Sequence, residues 1–342
     1  MKKLSLLPLL FAATLAGATD IAYSPPVGGM TLSAAANTDT LVSVALMPPP
    51  DAVGAVASVS GSDITVAGAP NWTANGFVSL AHYVRVLSGA LKGHYFSVLA
   101  NTNDTLTVDS AGMNLATLAA ADAVEITPYW TLGTLYSPAN AGASFIASAS
   151  PLARQTEVYF YDATATGINR APYATYYFYN GAWRKVGSAA TTSFSNTIIF
   201  PDTYFLQRNK TGASALVYTG RVQPASVGTL LVGSTGQNDN HVALAFPITV
   251  TLNSSGLAGS GFVASSSPLS RKDELYWFDP AGTGINRAPS ATYYYYNSGW
   301  RKVGSPATTD FGSSVLLTAG GGFLIRKAAN GPTVPWVFNT GF

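Results

Sequence analysis

The chain has 342 residues, of which 47% are apolar, 12% aromatic and only 10% charged, and it contains no cysteine. That composition suits a large packed core and excludes a disordered tail, a disulfide framework, thiolate metal sites and a cysteine nucleophile. Lys2 and Lys3 account for the whole formal charge of +2, so the remainder carries balanced charge and lacks the electrostatic footprint of a nucleic-acid binder.

Lys2 and Lys3 precede an apolar run, Leu4 to Leu15, that closes on Ala16, Gly17 and Ala18. A basic start, a short apolar stretch and a small-residue ending form a secretory signal peptide, with cleavage expected after Ala18. No later run reaches the ~18 apolar residues needed for a membrane-spanning helix, so the expectation is an exported protein of the periplasm, cell surface or extracellular space that is not integral to a membrane.

Beyond the leader, apolar residues alternate at period two and almost no helical stripe occurs, so the chain reads as all-β. Strands are expected at Thr40–Leu46, Ala55–Val59, Asp63–Ala67, Gly76–Leu87, Gly93–Leu99, Thr105–Asp109 and Ala123–Pro128. One short helical piece fits Met113–Ala120. The spacing points to a small barrel or compact sandwich over residues 19–140, because nothing of crossover-helix length separates the strands.

The second half is duplicated. Ser150–Ser188 aligns without a gap to Ser267–Ser305, with 26 of 39 positions identical, and "FLQR" (Phe205–Arg208) then matches "FLIR" (Phe323–Arg326) after one inserted residue. Two homologous antiparallel β modules are therefore expected, at 141–225 and 226–342. A looser match links "NTDTLVSVALMPPP" at 37–50 with "NDNHVALAFPITV" at 238–250, as if one lead-in strand preceded each module. A last strand, Val334–Phe338, closes the second.

Each module carries a Gly-rich loop, "DATATGINRAP" or "DPAGTGINRAP", after an aromatic strand. Asp162 and Asp279 fit Asx turns, with Gly167 and Gly284 at positive φ. Asn169 and Asn286 leave calcium open as an alternative, although the dense alternating carboxylates of calcium loops are missing.

"YYFYNGAWRKVG" (Tyr176–Gly187) and "YYYYNSGWRKVG" (Tyr293–Gly304) then read as aromatic hairpins, with a three-residue loop expected at Asn297–Gly299. Alternation puts rings on both strand faces, and Tyr176, Phe178, Trp183, Arg184, Tyr293, Tyr295, Trp300 and Arg301 are the candidate ligand or interface residues. Arg184 and Arg301 are expected over ring faces. The second aromatic face serves a core, a contact with other copies or envelope proteins, or a platform for polysaccharide.

Catalytic signatures are missing: His82, His94 and His241 have no metal-ligand spacing, are expected on strand or turn surfaces, and no nucleophile elbow or phosphate loop occurs. The carboxylate pairs Glu157/Asp162 and Glu274/Asp279 have odd spacing that points them to opposite faces. Pro335 and Gly341 interrupt the terminal alternation an outer-membrane barrel needs. No cofactor or metal is expected.

On "PYWTLGTLY" (Pro128–Tyr136) and the two hairpin motifs, the chain resembles a family of exported, repeat-containing proteins associated with Verrucomicrobia. The resemblance implies a signal peptide, an N-terminal β region and two repeats, and no established activity. The functional expectation is a non-enzymatic structural or interaction protein of the cell surface or matrix, with carbohydrate binding through Tyr/Trp platforms as the alternative.

Overall fold

The computed structural model describes residues 26–140, 142–223 and 226–339, so the expected signal peptide lies outside the described residues. Two strands, β1 (Val27–Ala34) and β2 (Thr38–Val42), precede β3 (Ala52–Ser60), β4 (Asp63–Val66), β5 (His82–Val86), β6 (Tyr95–Asn101), β7 (Thr105–Asp109) and β8 (Ala123–Pro128). These last six close into an antiparallel barrel in the order β3-β4-β7-β6-β5-β8, with β8 returning to β3. Val56, Ile64, Val84, Phe96, Leu106, Val124 and Ile126 fill it. Closure buries their apolar faces and removes free sheet edges, which explains how so small a unit holds together.

After the barrel come β9 (Trp130–Thr131), a single turn α1 (Leu132–Leu135), β10 (Thr156–Phe160), β11 (Ala174–Tyr179), β12 (Ala182–Lys185), β13 (Ile198–Ile199), β14 (Phe205–Asn209) and β15 (Ser214–Arg221). Then follow β16 (Val227–Leu231), β17 (Asn238–Ala243), β18 (Val250–Thr251), β19 (Glu274–Trp277), β20 (Ala291–Tyr296), β21 (Gly299–Lys302), β22 (Val315–Leu317), β23 (Gly322–Lys327) and β24 (Val334–Phe338). The protein is all-β, with several antiparallel sheets and one barrel.

Two five-stranded sheets carry the repeats, in the orders β12-β11-β10-β14-β2 and β21-β20-β19-β23-β17. Position by position the orders correspond, with β2 matching β17. The flanking pairs correspond as well: β1 with β15 against β16 with β24, and β9 with β13 against β18 with β22. The lead-in strands suggested by the loose match at 37–50 are thus edge strands of the two repeat sheets. The barrel interrupts the first repeat, between β2 and β9. Val27–Val42, expected with the N-terminal region, pairs instead with β14 and β15. A single apolar core runs through both repeats, from Val42, Trp183 and Phe205 to Val242, Trp300 and Phe323.

Local expectations fare unevenly for physical reasons. The strand expected from Gly76 shrinks to His82–Val86, because Asn75 and Ala81 adopt left-handed backbone and Asn101 ties the intervening loop through Phe77 N–H and the Thr73 carbonyl. The helical piece reduces to a 3-10 turn, Leu115–Thr117, capped by Asn114. β2 stops at Val42, beyond which Ser43 N–H and its hydroxyl turn to the Gly320 and Gly321 carbonyls and Ala45 N–H to the Tyr218 hydroxyl.

The outer face of β5 is buried too, so all five of its residues are shielded. Glu125 accepts from Arg85 Nε of the barrel at 2.9 Å and from Arg221 of β15 at 2.6 Å, while the Tyr95 hydroxyl donates to Asp202 at 2.6 Å. Such charge-assisted contacts fix the barrel's orientation on the first repeat.

Candidate functional site

The aromatic hairpins are enclosed apart from the half-buried Tyr179, Tyr295 and Tyr296. Trp183 and Trp300 have no accessible surface, and Tyr176, Phe178 and Tyr293 are at most 5% exposed. Trp183 packs among Tyr136, Phe145 and Phe178, with ring centroids 5.3 to 5.8 Å apart, and Trp300 meets Phe262 and Tyr295 at 5.0 and 5.5 Å. A ring without an open face cannot stack on a sugar, so these residues hold the core together.

Other arginines than those expected cover the second face. Arg154 lies 5.7 Å from the Tyr177 ring and Arg271 5.9 Å from Tyr294, each from the segment entering its own sheet. Arg184 and Arg301 instead staple the hairpin: Arg184 donates to the carbonyls of Tyr179, Asn180 and Thr191, and Arg301 to those of Tyr296 and Asn297. The turns hold two residues, Asn180-Gly181 and Asn297-Ser298, all at positive φ, because Tyr179 pairs with Ala182 and Tyr296 with Gly299. The three-residue loop expected at Asn297–Gly299 is therefore a primed two-residue turn, whose twist matches that of the strands.

The Gly-rich loops begin as expected, with Asp162 accepting from Thr164 and Ala165 N–H and Asp279 from Ala281 N–H. Gly167 and Gly284 sit at φ 115° and 111°. Among the described residues no group of His, Asp and Glu is arranged to hold a metal. What the loops then do was not foreseen: each crosses to the opposite repeat.

Asn169 N–H donates to Asp239 at 2.7 Å and Asn286 N–H donates to Asp39 at 2.7 Å. Asp239 N–H returns a bond to the Gly167 carbonyl, and Asp39 N–H to that of Gly284. Both aspartates are also gripped from their own sheets. Arg208 donates from Nε and Nη2 to the two Asp39 oxygens at 2.6 and 2.8 Å, and Arg326 to those of Asp239 at 2.7 and 3.0 Å. The same guanidiniums reach the loop asparagines, Arg208 to Asn286 and Arg326 to Asn169. Beneath them lie Tyr159 and Tyr276, 4.9 and 4.8 Å from the arginine carbons. Their hydroxyls donate to Glu157 and Glu274.

Between the two clasps opens a cleft of about 600 Å³, floored by Leu206 and Leu324 and walled by the clasp residues. Four arginines and two aspartates line it, so its walls carry an excess of positive charge. Arg170 differs from its counterpart by crossing the cleft: its side chain donates to the Asp239 carbonyl as well as to that of Asp162, whereas Arg287 donates to Gly282 and Asp279 within its own loop.

His241 also faces the cleft. It stacks on Tyr161 at 4.1 Å and 11°, meets Tyr204 edge-on at 5.2 Å, and is 8% exposed. Burial, reinforced by the Arg170 charge and opposed by Asp239, pushes it down to about 4, which leaves the imidazole neutral at ordinary pH. All three histidines are buried rather than on surfaces: His82 bridges Asp51 and the Phe77 carbonyl, and His94 lies against Gly228.

The carboxylates weighed for glycoside hydrolysis serve the frame. Burial would raise Glu157, but hydrogen bonds from Arg154, Tyr159 and Lys210 outweigh it and hold the carboxyl below its usual range. A carboxylate so firmly ionised and occupied is poorly placed to act as a general acid. Comparison with known proteins finds no matching family model, no matching curated protein and no matching solved structure.

Proposed function

We propose that this chain is an exported, non-enzymatic interaction protein of the cell surface or extracellular matrix, whose binding site is the cleft between its two repeats. The observation that carries this reading is the double clasp: the same aspartate, arginine, tyrosine and asparagine recur on both sides and hold the cleft walls in place. A concave site with a few convergent polar groups and an apolar floor, built on rigid sheets, is the usual form of a ligand site. Carbohydrate remains a candidate class of ligand, now for the cleft and not for the enclosed hairpin rings. Export rests on the leader, Lys2 to Ala18.

A panel of glycans, organic acids and short peptides, screened by thermal shift on the secreted chain and on Leu324→Trp, tests the reading. At least one class should raise the melting temperature of the wild-type protein and not that of the variant, whose indole fills the floor. Hits that bind both proteins equally place the site elsewhere. Turnover of a hit, followed by chromatography, would remove the non-enzymatic part of the reading.

A further inference from the structure

The two halves of the cleft agree in the clasp and disagree in one corner. Asp39, Tyr159 and Arg208 have identical counterparts in Asp239, Tyr276 and Arg326. By the same strand correspondence His241 stands where the first repeat has Leu41, Tyr161 where the second has Phe278, and Tyr204 where it has Gly322. All three differences meet around His241, giving one polar-tipped corner and one apolar corner. Gly322 is fitted to this asymmetry, since a Cβ there would come within 2.4 Å of the Tyr204 ring.

Two buried polar atoms in that corner have no partner, Nδ1 of His241 and Nε of Arg170. Both side chains line the cleft, and Arg170 donates to the carbonyl of Asp239, two residues before His241 on the same strand. An uncompensated buried donor costs on the order of 1–3 kcal/mol, more when charged, so an occupant that satisfies both atoms recovers that cost. Arg170 Nε is a cationic donor, and neutral His241 donates from Nδ1 in one tautomer. Together they suit one anionic oxygen or the two oxygens of one carboxylate. Asp239 does not supply it: its oxygens accept from Arg326 and Asn169 N–H, and neither accepts from Arg170 Nε or His241 Nδ1. Leu324 beside His241, together with Leu41, Leu206 and Phe278 of the same cleft, suits an apolar body.

Building on the cleft as ligand site, we infer that its occupant is a carboxylate on an apolar body, with the carboxylate between Arg170 and His241 and the body over Leu41, Leu324 and Phe278. The shared chemistry covers a free aromatic or aliphatic acid and the terminal residue of a peptide.

Calorimetry on the full secreted chain, with 4-phenylbutyrate, octanoate and N-acetylphenylalanine as probes and 4-phenylbutyramide as neutral isostere, tests the inference. At least one acid should bind, and phenylbutyrate should bind about 10-fold or more tightly than its amide, the scale of a charge-assisted hydrogen bond. A preference for octanoate or phenylbutyrate identifies a free acid, and a preference for N-acetylphenylalanine a chain terminus. His241→Leu, which installs the residue the fold already holds at Leu41, should weaken the acids by a similar factor. Equal binding of acid and amide overturns the carboxylate subsite; if Leu324→Trp abolishes that binding, the cleft remains a ligand site. No binding of any acid up to its solubility limit also overturns it. The acid-to-amide comparison in the wild-type protein decides the matter even if His241→Leu fails to fold.

Discussion

Asp39 and Asp239 occupy one structural position twice: each accepts two guanidinium bonds from the neighbouring strand and a backbone N–H from the loop of the other repeat. Their side chains are only 4% and 1% accessible, so few water molecules can replace a lost partner. Removing one member of such a pair leaves a shielded charge uncompensated. Asp39→Asn and Asp239→Asn should each lower unfolding free energy by about 2–4 kcal/mol, by denaturant titration. A loss under about 0.5 kcal/mol in either would show that the clasp is a surface contact of the ordinary kind.

The enclosed tryptophans set a second expectation. Trp183→Ala and Trp300→Ala each leave a cavity among aromatic neighbours and should cost about 3–5 kcal/mol, read from the midpoint of thermal or chemical unfolding. If either variant keeps wild-type stability but loses binding, the ring works as a contact surface after all.

The turns provide an internal comparison. Ser298 sits at φ 55° where the first repeat has Gly181 at φ 74°. A serine in left-handed backbone is strained relative to glycine, so Ser298→Gly should stabilise by about 0.5–1 kcal/mol and Gly181→Ser should destabilise by a similar amount. Shifts of the same sign in both variants would contradict the primed-turn geometry.

Acidity should report on the joint between barrel and repeat. Burial raises Asp202 to about 6, with the Tyr95 hydroxyl bond pulling the other way. The folded state therefore holds this proton more tightly than the unfolded chain. The stabilisation is fully present below the unfolded value near 4 and is lost as pH rises through about 6. Asp202→Asn keeps an acceptor for Tyr95 and removes the titration. The stability difference between wild type and variant should change by roughly 2 kcal/mol between pH 4 and 7, in the direction of a relatively weaker wild type at the higher pH. A difference independent of pH would mean that Asp202 titrates alike in the folded and unfolded chain.

The proposed export makes a simple prediction. N-terminal sequencing of protein recovered outside the cytoplasm should begin at Thr19, and retention of Met1–Ala18 would show that the leader is not cleaved where its small residues indicate.

The barrel strands, the hairpins and the Asx turns were legible because each depends on residues close together in the chain: period-two alternation, Asn-Gly at a turn, an aspartate ahead of its own backbone donors. The clasp was not legible, since Asn169 and Asp239 are brought together only when two sheets pack, and neither residue looks unusual where it stands. Its one trace in the sequence is the pairing of the identical "TGINRAP" loops with an aspartate in each lead-in segment, at Asp39 and Asp239. The hairpin rings misled for the same reason. Alternation shows that a strand is aromatic on both faces, but only packing shows that Trp183 and Arg154 leave neither face open.

By itself the sequence determined that this is a β protein with no cysteine chemistry and one unit written twice, because composition, period and self-similarity are properties of the chain. Tertiary structure alone decided that the copies exchange loops, that the barrel interrupts the first of them, and that the residues around His241 face a cleft. These depend on which distant surfaces bury each other, and burial is a property of the assembled fold that no stretch of sequence possesses on its own.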